Sequence, residues 1–216
     1  GLCFGADGYL YACENGARRI SRYAPDGSRE TLLENVGCND LVVVGPEGGY
    51  FTDPANRRVW FSDGSPQPLA VDEGIAFPNG VVASPDHAQV YVADTRSAAV
   101  YSFLTASDGR LLHREPFFHL HTPDAGQESG ADGMTVDTEG RLYVATALGI
   151  QVCDQPGRVN GIIAKPKRAW LSNVVFGGAG LDTLYATCGD SVFARKTRAR
   201  GIHPFADPVK PPTPRL

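Results

Sequence analysis

Asn39, Asn79, Asp132 and Asn173 each stand immediately ahead of a short apolar run. They recur about forty residues apart, with one longer interval between Asn79 and Asp132. Amide and carboxylate oxygens brought together with water form the donor set that hard cations such as Ca²⁺ or Mg²⁺ take. No Cys/His cluster with metal-type spacing competes, although an oxygen site also admits Zn²⁺. Asp132 is the one acid of the four, so it is the candidate for general base as well as ligand. Asp40, beside Asn39, is the candidate to hold Asn39 or a water in place. The same residues have a plainer use, because Asn-Gly, Asn-Asp and Asp-Gly steps form turns. Four in register go beyond that use, since Ser, Gly or Pro would also serve a turn. His119 and His121 alternate, and in extended chain they project on one side. They are candidates for substrate contacts or a proton relay, with a solvated loop pair as the simpler reading. Ser-His-Asp catalysis has no support, since no Gly-x-Ser-x-Gly elbow occurs.

The elements that position these residues repeat with them. Each copy has an apolar strand, such as Leu41-Val42-Val43-Val44, and then a turn. The turns are Ala6-Asp7-Gly8, Gly45-Pro46-Glu47-Gly48, Ser84-Pro85-Asp86, Thr138-Glu139-Gly140 and Gly177-Gly178-Ala179-Gly180. A second strand follows with an aromatic: Tyr11, Tyr50-Phe51, Tyr91, Tyr143 or Tyr185. A third strand alternates, as in Arg58-Val59-Trp60-Phe61, and Asp-Gly turns at Asp26, Asp63 and Asp108 close three copies. Outer fourth strands are expected at Glu30–Leu33 and Leu111–Arg114. Several strands per forty-residue repeat, without helical periodicity, predict an all-β propeller over residues 1–207 with five blades present. Equivalent positions in a propeller converge on one axis, so Asn39, Asn79, Asp132 and Asn173 are expected to ring one mouth of the channel. Residues Phe117 to Gly130 read as a loop insertion, and 208–216 as an extended Pro-rich tail.

Several segments together resemble the SMP-30/gluconolactonase/LRE-like family. They are Phe77-Pro78-Asn79-Gly80-Val81 with Ser84-Pro85-Asp86, and Ala131-Asp132-Gly133-Met134-Thr135-Val136-Asp137 with Gly140. Cys13-Glu14-Asn15-Gly16, Cys38-Asn39-Asp40-Leu41-Val42-Val43 and Ser172-Asn173-Val174-Val175-Phe176-Gly177-Gly178 add to the likeness. The resemblance implies a six-bladed β-propeller that hydrolyses sugar lactones of the gluconolactone type. It implies one divalent cation at the top of the channel, Ca²⁺ first, with Zn²⁺, Mg²⁺ and Mn²⁺ as alternatives. Carried over by position, Asn79 and Asp132 are metal ligands, and Asn39 lies beside the metal as ligand or substrate contact. The family's first-blade Glu, in a Glu-Gly-Pro context, has no match here. Gly37 and Cys38 stand where animal members carry an Arg. The family pattern therefore implies about one further blade at the amino end, and weak metal binding by this chain without it. The competing readings are a non-catalytic binding propeller of the NHL or YVTN kind, and a relative of strictosidine synthases or aryl esterases.

A formal net charge of −4 argues against nucleic acid as a partner. No apolar run approaches bilayer length, so no membrane partner is expected, and the small-molecule lactone is the partner implied. The five cysteines form no metal-type spacing; Cys13, Cys153 and Cys188 read as small buried fillers. The sequence leaves the compartment open. The basic residues Arg195, Lys196, Arg198 and Arg200 read as solvated positions on an outer strand.

Overall fold

A computed structural model describes residues 1–45, 48–124 and 126–214. Pro46 and Glu47 of the second blade's first turn, Ala125 of the insertion, and Arg215 and Leu216 of the tail lie outside the described residues. Among the described residues nineteen strands form five sheets, each an antiparallel meander. The first blade is β1 (Leu2–Phe4), β2 (Leu10–Glu14), β3 (Arg19–Tyr23) and β4 (Arg29–Glu34). The second is β5 (Leu41–Val43), β6 (Gly49–Asp53), β7 (Arg58–Ser62) and β8 (Leu69–Glu73). The third is β9 (Pro78–Ala83), β10 (Gln89–Asp94), β11 (Ala99–Thr105) and β12 (Leu111–His119). The fourth is β13 (Met134–Val136), β14 (Leu142–Thr146), β15 (Gly149–Cys153) and β16 (Val159–Ala164). The fifth has three strands, β17 (Leu171–Gly177), β18 (Thr183–Cys188) and β19 (Ser191–Lys196). The five blades and both expected outer strands are as the repeat predicts.

The Asp-Gly turns show why the chain reverses where it does. Asp26, Asp63 and Asp108 each accept the amide two residues on, at 2.9, 2.9 and 3.2 Å. The Gly between takes φ of 85°, 88° or 80°, a conformation costly for other residues. Asp94 works similarly at the other end, with Oδ1 accepting the Phe77 and Arg96 amides. Asp53 accepts from Asn56 in the same way. Both hold blade turns from the ends of second strands.

The core is divided among the blade junctions. Cys38, Ile20, Leu33 and Phe51 fill the first, and Val42, Val59, Val92 and Phe103 the second. Phe118, Met134, Leu142 and Val144 fill the third, and Ile150, Val174, Phe176 and Leu184 the fourth. Inner strands meet in sequence order, β1 with β5, β5 with β9, β9 with β13 and β13 with β17. The outward faces of the end blades are apolar and solvated: Leu2 and Phe4 on β1, Val175 and Val192 on the fifth blade.

The insertion differs from expectation at its start. β12 continues to His119, so Phe117 and Phe118 are strand residues, and Phe118 is buried against Tyr91. After Gly201 the chain crosses the far end of the channel, and Ile202, His203, Pro204 and Phe205 line its floor. The Val209 amide donates to the Pro85 carbonyl at 2.8 Å, and Gln155 Nε2 to the Pro212 carbonyl at 2.7 Å. Among the described residues no helix is long and apolar enough to cross a membrane.

Candidate functional site

Cross-strand pairing sets the register of the blades. Tyr50 pairs with Val42, Tyr91 with Val82, Tyr143 with Thr135 and Tyr185 with Val175. Three residues before each partner lie Asn39, Asn79, Asp132 and Ser172. The expected fourth member, Asn173, is therefore one step out of register. It shares its position with Asp40, Gly80 and Gly133. A shift in the β17–β18 pairing between Leu171 and Asn173 hides this in the sequence. Side-chain bonds agree with the corrected register, since Asp40 Oδ1 accepts the Leu41 amide and Asn173 Oδ1 the Val174 amide, at 3.0 and 2.8 Å.

Two tiers result. Asn39, Asn79, Asp132 and Ser172 form the outer one, and Asp40 and Asn173 alternate with glycines in the inner one. The glycines are required by close approach. A Cβ at Gly133 would collide with the Asn173 side chain, and one at Gly80 with the Asp132 carbonyl. Asn39, Asp40, Asn79, Asp132, Ser172 and Asn173 all line a central cavity of about 1050 Å³. A smaller cavity of about 420 Å³ between the first two blades contains none of them.

Asn79 is the most informative member. It is 5% exposed, and its Nδ2 donates to Thr95 Oγ1 at 3.0 Å. Thr95 in turn donates to the Ala131 carbonyl at 2.6 Å, which fixes the amide's orientation. Its Oδ1 is buried without a hydrogen-bond partner. An unpaired buried carbonyl costs roughly 1–3 kcal/mol, so an oxygen left in this state suits a cation. Asp132 holds the same tier position on the adjacent blade. Burial pushes its carboxyl up to about 6, and the Asp40 charge adds to the rise. The Trp170 indole opposes it, donating Nε1–H to Asp132 Oδ2 at 2.7 Å. Neutral amide oxygen beside a carboxylate that gains from a nearby positive charge fits a hard divalent cation. Among the described residues no three His, Cys, Asp or Glu side chains gather as a metal cluster, so a cation held here would need amide oxygens as well.

Asn39 is half-buried, and its main-chain N–H donates to the Thr52 carbonyl at 2.7 Å. Asp40 does not hold it. The Asp40 carboxylate goes to the Leu41 amide and, at 3.4 Å, to the Val81 amide. Its influence on Asp132 is electrostatic. Burial also pushes the Asp40 carboxyl upward. His119 and His121 are exposed at the end of the outer strand β12 and do not line the cavity. The His121 main chain exchanges bonds with the Gln151 side chain, both 2.8 Å, so this stretch braces the third blade against the fourth. The histidines at the cavity are His87 and His203, on its floor. Thr95 and Trp170 were not legible as site residues, because neither occupies a tier position.

Comparison with known proteins follows the same lines. The family profile described as SMP-30/Gluconolactonase/LRE-like region matches residues 34–190. A gluconolactonase of Zymomonas mobilis is 26% identical over 93% of this chain and 64% of its own length. A pentonolactonase of Haloferax volcanii is 27% identical over 87% of this chain and 66% of its own. The chain thus spans just under two thirds of these curated relatives. The structure of a gluconolactonase from Xanthomonas campestris superposes with a TM-score of 0.76 at 28% identity, covering 94% of this chain and 71% of the other.

Proposed function

The chain belongs to the SMP-30/gluconolactonase/LRE-like family, and on that premise we propose that it hydrolyses a sugar lactone with a divalent cation held at the cavity mouth. The observation that carries this reading is the buried, unpartnered Asn79 Oδ1 beside Asp132. Asn79 and Asp132 hold the cation, and Asn39 serves as a further ligand or as a contact to the lactone. Ca²⁺ suits this oxygen set best. Bound there, the cation supplies Lewis acidity, polarising the lactone carbonyl and acidifying a neighbouring water.

Asp132 receives the proton of the attacking water. Burial raises this carboxyl to about 6 in the cation-free protein, and a bound cation would lower it again, leaving an ionised proton acceptor at neutral pH. Trp170 leaves one carboxylate oxygen in a fixed direction and the other free. Thr95 keeps the Asn79 oxygen, not its NH₂ group, turned to the site. The cavity is large enough for a sugar lactone, and Ile202 and Phe205 line it together with the tier residues. In the same reading a sixth blade closes the ring, covering Leu2 and Phe4 on one side and Val175 and Val192 on the other.

The test is acid release from δ-gluconolactone with Ca²⁺ present, corrected for spontaneous opening, for the protein and for Asp132→Ala. Turnover should fall at least a hundredfold in the variant. Equal turnover removes Asp132 from the mechanism. Equal Ca²⁺ affinity of Asn79→Ala by calorimetry removes the proposed metal site.

A further inference from the structure

Two residues ahead of the four outer-tier positions stand Gly37, Phe77, Gly130 and Trp170. Glycine and aromatic thus alternate from blade to blade, but the two aromatics have different surroundings. Phe77 is half-buried and capped from its own blade, with the Arg96 guanidinium 5.1 Å from its ring centroid. Trp170 is 53% exposed, and among the described residues no cation covers it. It is held in place all the same. Its carbonyl accepts the Gly189 main-chain N–H at 2.8 Å, and its Nε1 donates to Asp132 Oδ2 at 2.7 Å. Its Cη2 lies 3.4 Å from where a Gly130 Cβ would stand, and the φ of 63° at that position favours glycine. The Gly130 main-chain N–H donates in turn to the carbonyl of Thr95, whose hydroxyl holds Asn79. One continuous rim therefore runs from Asn79 through Thr95, Gly130 and Trp170 to Asp132. Nε1 and Cη2 share one long edge of the indole, so that edge is anchored and open ring surface stands beside Asp132.

On the lactone reading of the site, we infer that Trp170 is a specificity-determining contact, a platform on which a six-membered sugar ring lays its C–H face. A pyranoid ring carries its hydroxyls around the edge and C–H bonds on its faces. Laying one face on the indole removes apolar surface from water and sets C–H groups against the negative face of the π-system. The hydroxyls stay free for water and for the polar tier. The ring is thereby brought beside Asp132 by its shape, before any of its polar groups is read. An open-chain polyol offers the same hydroxyls but no fixed face, so it gains less from the platform. The platform is rigid because its edge is already pinned, so little side-chain freedom is lost on binding. Phe77 cannot serve in the same way, since Arg96 lies over its ring.

Acrylamide quenching of tryptophan fluorescence tests the contact directly. The chain has two tryptophans, and the other, Trp60, lies in the first junction with its ring stacked 6.2 Å from Phe51. Trp60→Phe leaves Trp170 as the sole reporter. With Ca²⁺ present, 1,5-anhydro-D-glucitol, a six-membered ring that cannot be hydrolysed, covers one of the two indole faces and should lower the quenching constant by about half. Sorbitol at the same concentration should have a clearly smaller effect. The natural sequence should respond in the same direction, so a variant that fails to fold does not decide the result. No protection by the ring, or equal protection by sorbitol, overturns the inference. Kinetics give a second reading. Trp170→Phe and Trp170→Ala both lose the N–H to Asp132, but only the second loses the platform. Their kcat values should agree, while KM for δ-gluconolactone should be at least about fivefold higher in Trp170→Ala, the size of one aromatic contact. Equal KM values overturn the inference. Protection of Trp170 without lactone turnover leaves the ring contact standing and removes the hydrolase reading. Turnover without protection does the reverse.

Discussion

The third and fifth blades carry the same repeat in different surroundings. Every residue of β9 is buried, from Pro78 to Ala83. β17 buries Leu171, Val174 and Phe176 but leaves Val175 55% exposed. Both strands read as apolar runs, and both place a tyrosine partner at the same register. The difference is the neighbour. β9 has the second blade on one face and the fourth on the other, whereas β17 has a described blade only on the β13–β14 side. Blade sequence thus encodes a sheet with two apolar faces, and the ring decides which of them is buried. Most stability should reside where both faces are covered.

The sharpest way to break this comparison is to truncate one core residue on each side. Phe103 on β11 is 2% exposed within the second junction. Phe103→Ala should cost about 3–5 kcal/mol, from lost transfer energy and the cavity left behind. Val192, on the open face of the fifth blade, is 68% exposed. Val192→Ala should stay within about 0.5 kcal/mol. Urea midpoints measure both. A cost at Val192 approaching that at Phe103 would mean that the face is covered in solution, by another blade or another molecule.

The tiers supply the next contrast. Asn79 and Asn173 are both asparagines near the channel, but only Asn79 has an unpartnered oxygen; Asn173 Oδ1 is taken by the Val174 amide. Asn79→Ala should weaken Ca²⁺ binding at least about tenfold, or roughly 1.4 kcal/mol. Asn173→Ala should leave Ca²⁺ affinity within about twofold and lower stability by about 1 kcal/mol through the lost hydrogen bond. Calorimetric titration and urea melts on the two variants separate the roles. Equal losses of affinity would merge the tiers into one site.

Asp132 sharpens the same distinction through pH. Its folded value is raised from 3.8 to about 6, so the folded state holds this proton more tightly than the unfolded chain. The associated stability is fully present below about pH 4 and is lost as pH rises through 6. At pH 7.5 without cation the ionised carboxylate is therefore a cost. Asp132→Asn should then stabilise the cation-free protein. The full shift corresponds to about 3 kcal/mol, and partial solvent access brings the expected gain to about 1–2 kcal/mol. At pH 4 the variant and the parent should agree. A gain at pH 4 as large as at 7.5 would point to packing instead of charge.

How far the sequence carried this reading depends on what each residue answers to. The blades were legible because Tyr50, Tyr91, Tyr143 and Tyr185 answer to a local rule, the period-two strand with its Asp-Gly turn. Asn39, Asn79 and Asp132 were legible because three blades keep that register. The fifth blade was misread by one residue because Asn173 carries a stronger turn signal than Ser172, and the shift in pairing leaves no mark on composition. His119 and His121 suggested chemistry by type alone. Their burial and direction depend on β12 running further than its turn residues indicate. Trp170 could not be found at all, since its bond to Asp132 is a tertiary contact across 38 residues.

Trp170 gives the smallest and most specific effect. Its indole is 53% exposed, so removing the N–H should cost little packing. The bond from Nε1 lowers the Asp132 carboxyl against the larger upward push of burial. Trp170→Phe keeps an aromatic side chain over Gly130 and deletes only the donor. With less opposition to burial, Asp132 should titrate still higher, by roughly half a unit to one unit. Cation-free stability at pH 7.5 should fall by a few tenths of a kcal/mol up to about 1 kcal/mol, with no change at pH 4. Carboxyl NMR of Asp132 in the two proteins reads the shift directly. A titration that moves downward, or a stability loss equal at both pH values, would show that the indole acts on Asp132 by packing and not by its hydrogen bond.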